Sequence, residues 1–332
     1  MRGASRTTPD GAAGAERAPR TPSDSVSVDL NALAHQIAHE LAKGDLARPA
    51  PGASPPIRLD GVPSPPRGVT FAAGPARLAD FIDHTLLRAD ARRSAVEAHC
   101  AEAVEHGFAA VCVAPLWVPL ARVLLAGSRV RIATVVGFPA GASRLEVKAL
   151  EARMADDEGA DELDAVVPLG LVKGGEWAAV AADVASVVAA AQGRLVKIVL
   201  ETAALTPAEI VRGTVIAREE GAHYVKTSTG VHPAGGATPE AVALVRLVCG
   251  DALGVKASGG VRDCAAAFAL IESGATRIGT SHGVTMAGCM GSGPRPLSEL
   301  FGAAGLDGRA GSRERSTPWA APTGQAAPNF HP

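Results

Sequence analysis

Two lysines, each closing a short apolar run, stand thirty positions apart in Tyr224-Val225-Lys226-Thr227-Ser228-Thr229-Gly230 and Gly254-Val255-Lys256-Ala257-Ser258-Gly259-Gly260-Val261-Arg262. An ammonium group at the end of a buried strand is costly unless it has a partner or a task. Two such groups converging on one site each lower the other's pKa. A lysine made neutral in this way attacks carbonyls and forms a Schiff base. The pair therefore predicts metal-free carbonyl chemistry with Lys226 as nucleophile and Lys256 as its pKa-lowering neighbour; a phosphate ligand is the other role open to Lys256. Imine formation and breakdown also need a proton carrier. Asp164, between Leu163 and Ala165 in an otherwise apolar run, suits that work, with a purely structural ion pair as its alternative. Lys197 reads either as a third basic member of the site or as a buried partner of Glu201 or Asp164.

Glycines mark a second function. Gly259, Gly260 and Val261 follow the run that carries Lys256, and Arg277-Ile278-Gly279-Thr280-Ser281 forms the next run and its exit. Bare backbone N–H groups in glycine turns approach a phosphate closely, and barrel enzymes place such turns after their seventh and eighth strands. Gly230, after Thr227-Ser228-Thr229, can join the same pocket.

These residues need elements to hold them. From about 77 to 305 short β-branched runs alternate with Ala-rich helical stretches. The strand-like runs are Asp80–Asp83, Ala109–Val113, Val130–Val136, Glu162–Val167, Leu195–Glu201, His223–Lys226, Gly254–Ala257 and Arg277–Gly279. Helical patterns include Arg93–Glu105, Leu145–Glu158, Ala178–Ala191, Pro207–Glu220, Pro239–Val248 and Cys264–Ser273, with Thr206 and Thr238 placed as caps. Continuous apolar strands between helices mean a parallel sheet buried on both faces. Eight repeats predict an α/β fold, a (β/α)8 TIM barrel whose strand C-termini build the site. An open doubly wound sheet is the rival, but no GxGxxG or GxxxxGK loop follows the first strand.

Residues 1–76 read differently. Segments 1–24 and 45–76 are rich in Pro, Gly, Ala, Ser and Arg and predict flexible linkers. Between them, Leu30, Leu33, Ala34, Ile37 and Leu41 fall on one helical face, so an amphipathic helix is expected over about 28–43. Residues 306–332 again predict a mobile tail. His35 and His39 lie at i, i+4 without a third ligand, and His84 reads as a hydrogen-bonding residue at a strand end. No metal is therefore expected.

The bulk properties narrow the partners. The 332 residues carry a net charge of −2, which gives no reason to expect nucleic acid or an anionic membrane. Hydrophobic residues make up 47% but aromatics only 3%, so the core must be aliphatic. The five scattered cysteines form no CxxC pair, which fits a reducing, cytoplasmic location. No apolar run approaches the roughly 18 residues of a spanning helix, and no signal pattern opens the chain.

At these residues the sequence resembles the deoxyribose-phosphate aldolases, a class I aldolase family, from about 79 to 285. The blocks are Ile82-Asp83-His84-Thr85-Leu86-Leu87, Ala110-Val111-Cys112-Val113, Gly137-Phe138-Pro139-Ala140-Gly141, Gly159-Ala160-Asp161-Glu162-Leu163-Asp164, Leu200-Glu201-Thr202 and the two lysine motifs with Arg277–Ser281. The resemblance implies reversible cleavage of 2-deoxy-D-ribose 5-phosphate to D-glyceraldehyde 3-phosphate and acetaldehyde, with no cofactor. It implies that Lys226 forms the Schiff base, Lys256 depresses its pKa and Asp164 relays protons. Asp83 and Thr85 are then expected at the substrate, with Cys112, Thr227 and Lys197 beside them, and Gly230, Gly259, Gly260, Val261 and Ser281 around the phosphate.

The chain departs from the pattern in three places. Ala114 stands where the family commonly has Asn, and His282 follows Ser281 where many members have a second Ser. Some members use a C-terminal tyrosine at the enamine, whereas the single tyrosine here is Tyr224, so slower turnover is expected. The segment 28–43 resembles the short helices that load enzymes into bacterial microcompartments, which implies a shell protein as partner; a mobile tail or an oligomer contact is the alternative. Copies of the chain itself, as a dimer or tetramer, are the other expected partner. Another Schiff-base sugar-phosphate aldolase or transaldolase, or a non-catalytic microcompartment cargo or scaffold protein, remains the competing function.

Overall fold

The computed structural model describes residues 78–250 and 252–288. The extension 1–76 with its expected helix at 28–43, and the tail 306–332, lie outside the described residues.

Eight strands form a closed parallel barrel in sequence order: β1 (Ile82–Leu86), β2 (Ala110–Val113), β3 (Arg131–Val136), β4 (Glu162–Val166), β5 (Leu195–Val199), β6 (Tyr224–Lys226), β7 (Gly254–Ser258) and β8 (Arg277–Thr280), with β8 pairing back onto β1. The helices are α1 (Arg93–His106), α2 (Val118–Leu124), α3 (Leu145–Glu158), α4 (Leu169–Gly174), α5 (Trp177–Ala190), α6 (Pro207–Glu219), α7 (Pro239–Cys249), α8 (Cys264–Glu272) and α9 (Gly283–Gly288). The chain is a TIM barrel, as its alternating pattern predicts. The sequence pattern does not single out the short helices α2, α4 and α9.

The first strand needs correction. The apolar run suggested Asp80–Asp83, but Leu78–Phe81 form a 3-10 turn and β1 starts at Ile82. Ile82 and Asp83 are the residues that find partners, Ile278 and Gly279, on β8. The hydrogen-bond ladder therefore fixes the start of this strand. The apolar residues ahead of it are buried without joining the sheet.

Local chemistry sets the helix starts. Thr206 and Glu209 form a capping box on α6, in which the Thr206 side chain accepts from Glu209 N and the Glu209 side chain accepts from Thr206 N. Thr238 caps α7 and Asp263 caps α8, each accepting from the backbone N–H three residues on.

Alternation along the strands divides the core. Val111, Ile132, Leu163, Val196, Val225, Val255 and Ile278 are buried and face the helices, giving the aliphatic shell predicted from composition. The opposite faces fill the barrel, and that interior is itself divided. Ala110, Cys112, Ala133 and Val135 form an apolar cluster on the side of β2 and β3. Charged side chains from β1, β4, β5, β6, β7 and β8 occupy the rest. Gly254 leaves room for the Tyr224 ring, since a Cβ there would lie 2.1 Å from Tyr224 Cε1.

A second buried ion pair lies in the helix layer. Lys148 Nζ on α3 donates to Asp183 Oδ2 on α5 at 2.9 Å and to Val166 O at the end of β4 at 2.8 Å. It joins two helices to the strand that carries Asp164.

Candidate active site

Strand register brings the sequence-predicted lysines together. Lys226 and Lys256 are direct partners across β6 and β7, and Asp164 and Lys197 are partners across β4 and β5. Lys226 Nζ donates to Asp164 Oδ2 at 2.9 Å and Lys256 Nζ donates to the same oxygen at 2.7 Å. Lys197 Nζ donates to the other oxygen, Oδ1, at 2.7 Å. Glu162 Oε2 lies 2.6 Å from Lys197 Nζ, so Lys197 is paired to Asp164 and Glu162, and its possible partner Glu201 lies elsewhere. Asp83 Oδ2 makes an ion contact with Lys256 Nζ that lacks hydrogen-bond alignment. Gly279 gives Lys256 its space, since a Cβ there would meet Lys256 Cε at 3.0 Å.

Two members of this network were not among the predicted site residues. Arg277 donates from Nη1 to Asp83 Oδ1 at 2.5 Å and lies 3.3 Å from Glu162 Oε2. Their signal was available: Glu162 stands two residues before Asp164, and Arg277 two before Gly279, so each shares its neighbour's inward face.

The buried cations Lys197, Lys226, Lys256 and Arg277 outnumber the buried carboxylates Asp83, Glu162 and Asp164 by one. Burial would raise the Asp164 carboxyl, but Lys197, Lys226 and Lys256 outweigh it and hold it well below the usual carboxylate range. Burial likewise opposes ionisation of Asp83 and Glu162, and Arg277 leads the cations that keep both low. Lys256 runs the other way: burial disfavours its charge, but Asp164 and Asp83 push it well above the usual lysine value. Asp164 and Glu162 do the same for Lys197. The site thus holds fixed, ionised carboxylates beside two lysines that keep their protons. Taking one charge out of water costs several kcal/mol even after relaxation. An interior with seven such groups is an expensive way to make a core, so stability does not explain it.

The remaining predicted residues line the barrel mouth or its wall. Thr85 is half-buried and its Oγ1 donates to Asp83 O at 2.9 Å. Cys112 is fully buried in the apolar cluster, and burial raises its thiol pKa. Thr227 Oγ1 donates to Ser258 O at 3.2 Å and accepts from Ser258 N at 3.1 Å, locking the exits of β6 and β7 together. Glu201 holds a left-handed backbone (φ 62°) rare for a residue with a side chain. Its buried carboxylate accepts from Thr229 Oγ1 at 2.6 Å and from Thr229 N, which ties the loop after Lys226 to the end of β5.

The glycine loops meet backbone to backbone. A Cβ on Gly236 would lie 2.1 Å from Gly259 O, and one on Gly230 would lie 3.4 Å from Gly259 Cα. Gly230, Gly259 and Gly260 all have φ between 78° and 90°. Val261 is buried, and its carbonyl accepts from Thr280 Oγ1 at 2.7 Å, which joins the loops after β7 and β8. Ser281 is exposed, with Oγ 3.2 Å from His282 Nδ1.

A closed (β/α)8 barrel whose interior holds lysines on a shared carboxylate defines a barrel enzyme of the Schiff-base type. Residues 78–289 match the family described as DeoC/LacD family aldolase, and the chain belongs to that family. A deoxyribose-phosphate aldolase of Histophilus somni (strain 2336) is 48% identical over 209 residues, covering 63% of this chain and 93% of the relative. One from Geobacillus sp. (strain WCH70) is 50% identical over 210 residues, covering 63% and 94%. Among solved structures, the deoxyribose-phosphate aldolase of Aeropyrum pernix, described as a unique tetramer, is 35% identical with a TM-score of 0.60, covering 65% of this chain and 91% of that one. The protein is an aldolase, a class I lyase.

Proposed function

We propose that this aldolase cleaves 2-deoxy-D-ribose 5-phosphate reversibly to D-glyceraldehyde 3-phosphate and acetaldehyde. The observation that carries the reading is the pair of Lys226 and Lys256 on one oxygen of Asp164, inside a family whose named relatives act on this substrate.

The amine of Lys226 attacks C1 of the open-chain sugar. Proton transfer gives a carbinolamine, and loss of water gives the iminium. Asp164 is the ionised acceptor of that relay. The C3 hydroxyl then loses its proton, the C2–C3 bond breaks, and its electron pair enters the iminium. Glyceraldehyde 3-phosphate leaves, and the enamine is protonated and hydrolysed to acetaldehyde. The iminium is the electron sink, so these steps call on no metal or organic cofactor. Lys256 supplies a fixed positive charge beside the nucleophile, and removal of one proton brings the four cations and three carboxylates into balance.

Asp83, Thr85, Cys112, Thr227 and Lys197 bound or support the substrate space, and Gly230, Gly259, Gly260, Val261 and Ser281 take the phosphate. What supports the phosphate assignment is Gly260, whose positive φ leaves open space where a Cβ would stand, beside the loops that meet at Gly230, Gly236 and Gly259. Borohydride reduction in the presence of deoxyribose 5-phosphate, followed by peptide mass spectrometry, tests the reading. A reduced adduct on Lys226 is expected; full activity with an unmodified Lys226 overturns it.

The protein assembles as a homo-oligomer in this proposal. Val147, Leu150 and Met154 fall on one face of α3 and are about half exposed, and Val123 of α2 is exposed as well. Light scattering of the purified chain reads the assembly. No helix among the described residues is long and apolar enough to cross a membrane, and a cytoplasmic location agrees with the cysteine pattern. Entry into a microcompartment through residues 28–43 rests on apolar periodicity alone. Residues 20–50 fused to a fluorescent protein test it, and diffuse signal beside assembled shells rejects it.

A further inference from the structure

On the outer side of the barrel, away from the lysine network, two histidines and a glutamate meet between β1 and α1. His84 leaves β1 toward the helix layer, and His99 and Glu102 stand three residues apart on α1. Both histidines are buried, at 3% and 7% exposure. Their rings stack with centroids 3.8 Å apart and planes 16° apart, and His84 Nε2 lies 2.8 Å from Glu102 Oε2. His84 Nδ1 and His99 Nε2 have no hydrogen-bond partner. One potential ligand atom from each of the three residues lies within 4.8 Å of the others.

A single histidine on a carboxylate is an ordinary buried hydrogen bond. A second imidazole laid against it with an unpartnered nitrogen is not, because a buried polar atom without a partner carries its full desolvation cost. We propose that His84, His99 and Glu102 form a binding site for a borderline-soft divalent cation of the zinc class, clamping α1 to β1. Two imidazoles and one carboxylate, with a fourth position open, form a donor set that such ions favour. Tetrahedral coordination at 2.0–2.1 Å sets neighbouring donor atoms about 3.3 Å apart. Binding would have to draw the three ligand atoms together from within 4.8 Å of one another by rotation of the side chains. Glu102 is 44% exposed in its side chain and opens the site to solvent. His84 directly follows Asp83, so the ion would hold β1 one residue from a carboxylate of the lysine network.

The test is titration of the full-length, chelator-treated protein with Zn2+ by calorimetry, and with Co2+ by visible absorption. One ion per chain is expected, with a raised melting temperature and an X-ray absorption spectrum showing two imidazole nitrogens and a carboxylate oxygen. His99→Leu removes the unpartnered ligand but keeps an apolar side chain against the barrel, and His99→Gln is a second variant should the first fold poorly. Borohydride trapping on Lys226 reports that each variant is folded. At least a tenfold loss of affinity in a folded His99 variant supports the site. Absence of stoichiometric binding overturns it, as does binding that survives His99→Leu but disappears in His35→Ala/His39→Ala.

Discussion

Lys226 and Lys256 face each other across β6 and β7 and both donate to a single atom, Asp164 Oδ2, at 2.9 and 2.7 Å. Lys256 has a second carboxylate, Asp83, whereas Asp164 is the carboxylate in contact with Lys226. The pair is therefore unequal: Lys256 touches two carboxylates, and Lys226 touches one.

That inequality predicts the effect of Lys256→Leu. Loss of the fixed positive charge removes what favours a free amine at Lys226, so the ascending limb of the kcat/KM pH profile moves upward by about one unit or more. Activity at pH 7 falls accordingly. Rate measurements from pH 5 to 9 decide it, and an unchanged profile counts against coupling of the two lysines.

Asp164→Asn separates chemistry from folding. Loss of the proton acceptor lowers kcat by about 10²–10⁴-fold. The same change leaves the ammonium groups of Lys197 and Lys256 short of a counter-charge. Breaking a buried pair from one side costs about 3–5 kcal/mol. Urea melts beside single-turnover rates distinguish the two losses, and a variant of full stability and full activity refutes both.

Acid stability follows from the same carboxylate. Asp164 titrates well below its ordinary value of 3.8 in the folded chain. The unfolded chain therefore takes up a proton near pH 4 that the folded chain refuses. The stabilisation is present above about pH 4 and is lost as pH falls through the folded value. Urea midpoints for the wild type should decline below pH 4, and those of Asp164→Asn should decline less steeply over the same range.

Lys148 and Asp183 offer a contrasting pair. Burial leads both shifts, lowering Lys148 and raising Asp183, so both charged forms are disfavoured despite their contact. Asp183→Ala strands a buried ammonium and should cost about 3–5 kcal/mol. The double change Lys148→Met/Asp183→Leu should recover most of that loss, because a buried pair replaced by apolar groups of similar volume is often neutral or better. Chemical denaturation of the two variants measures the difference.

Much of this protein was legible from residue order. Strand and helix periodicity set the barrel, and the caps at Thr206 and Thr238 appear where the sequence placed them. Lys226, Lys256 and Asp164 stood out because a charge in an apolar strand needs a reason. Glu162 and Arg277 have the same signal, but the contact between them joins strands 115 residues apart and Arg277 reaches Asp83 across 194, so only barrel closure shows that they belong to one network. The start of β1 was misplaced because apolar residues before it imitate a strand, while pairing with β8 decides where the strand begins.

Residue order thus determined which side chains are inward-facing and charged, because a strand's two-residue alternation is local. The tertiary structure alone decided which carboxylate oxygen each cation shares. That choice depends on closure of the barrel and the register of strands far apart in sequence, which bring Asp164 from β4 within reach of Lys226 and Lys256.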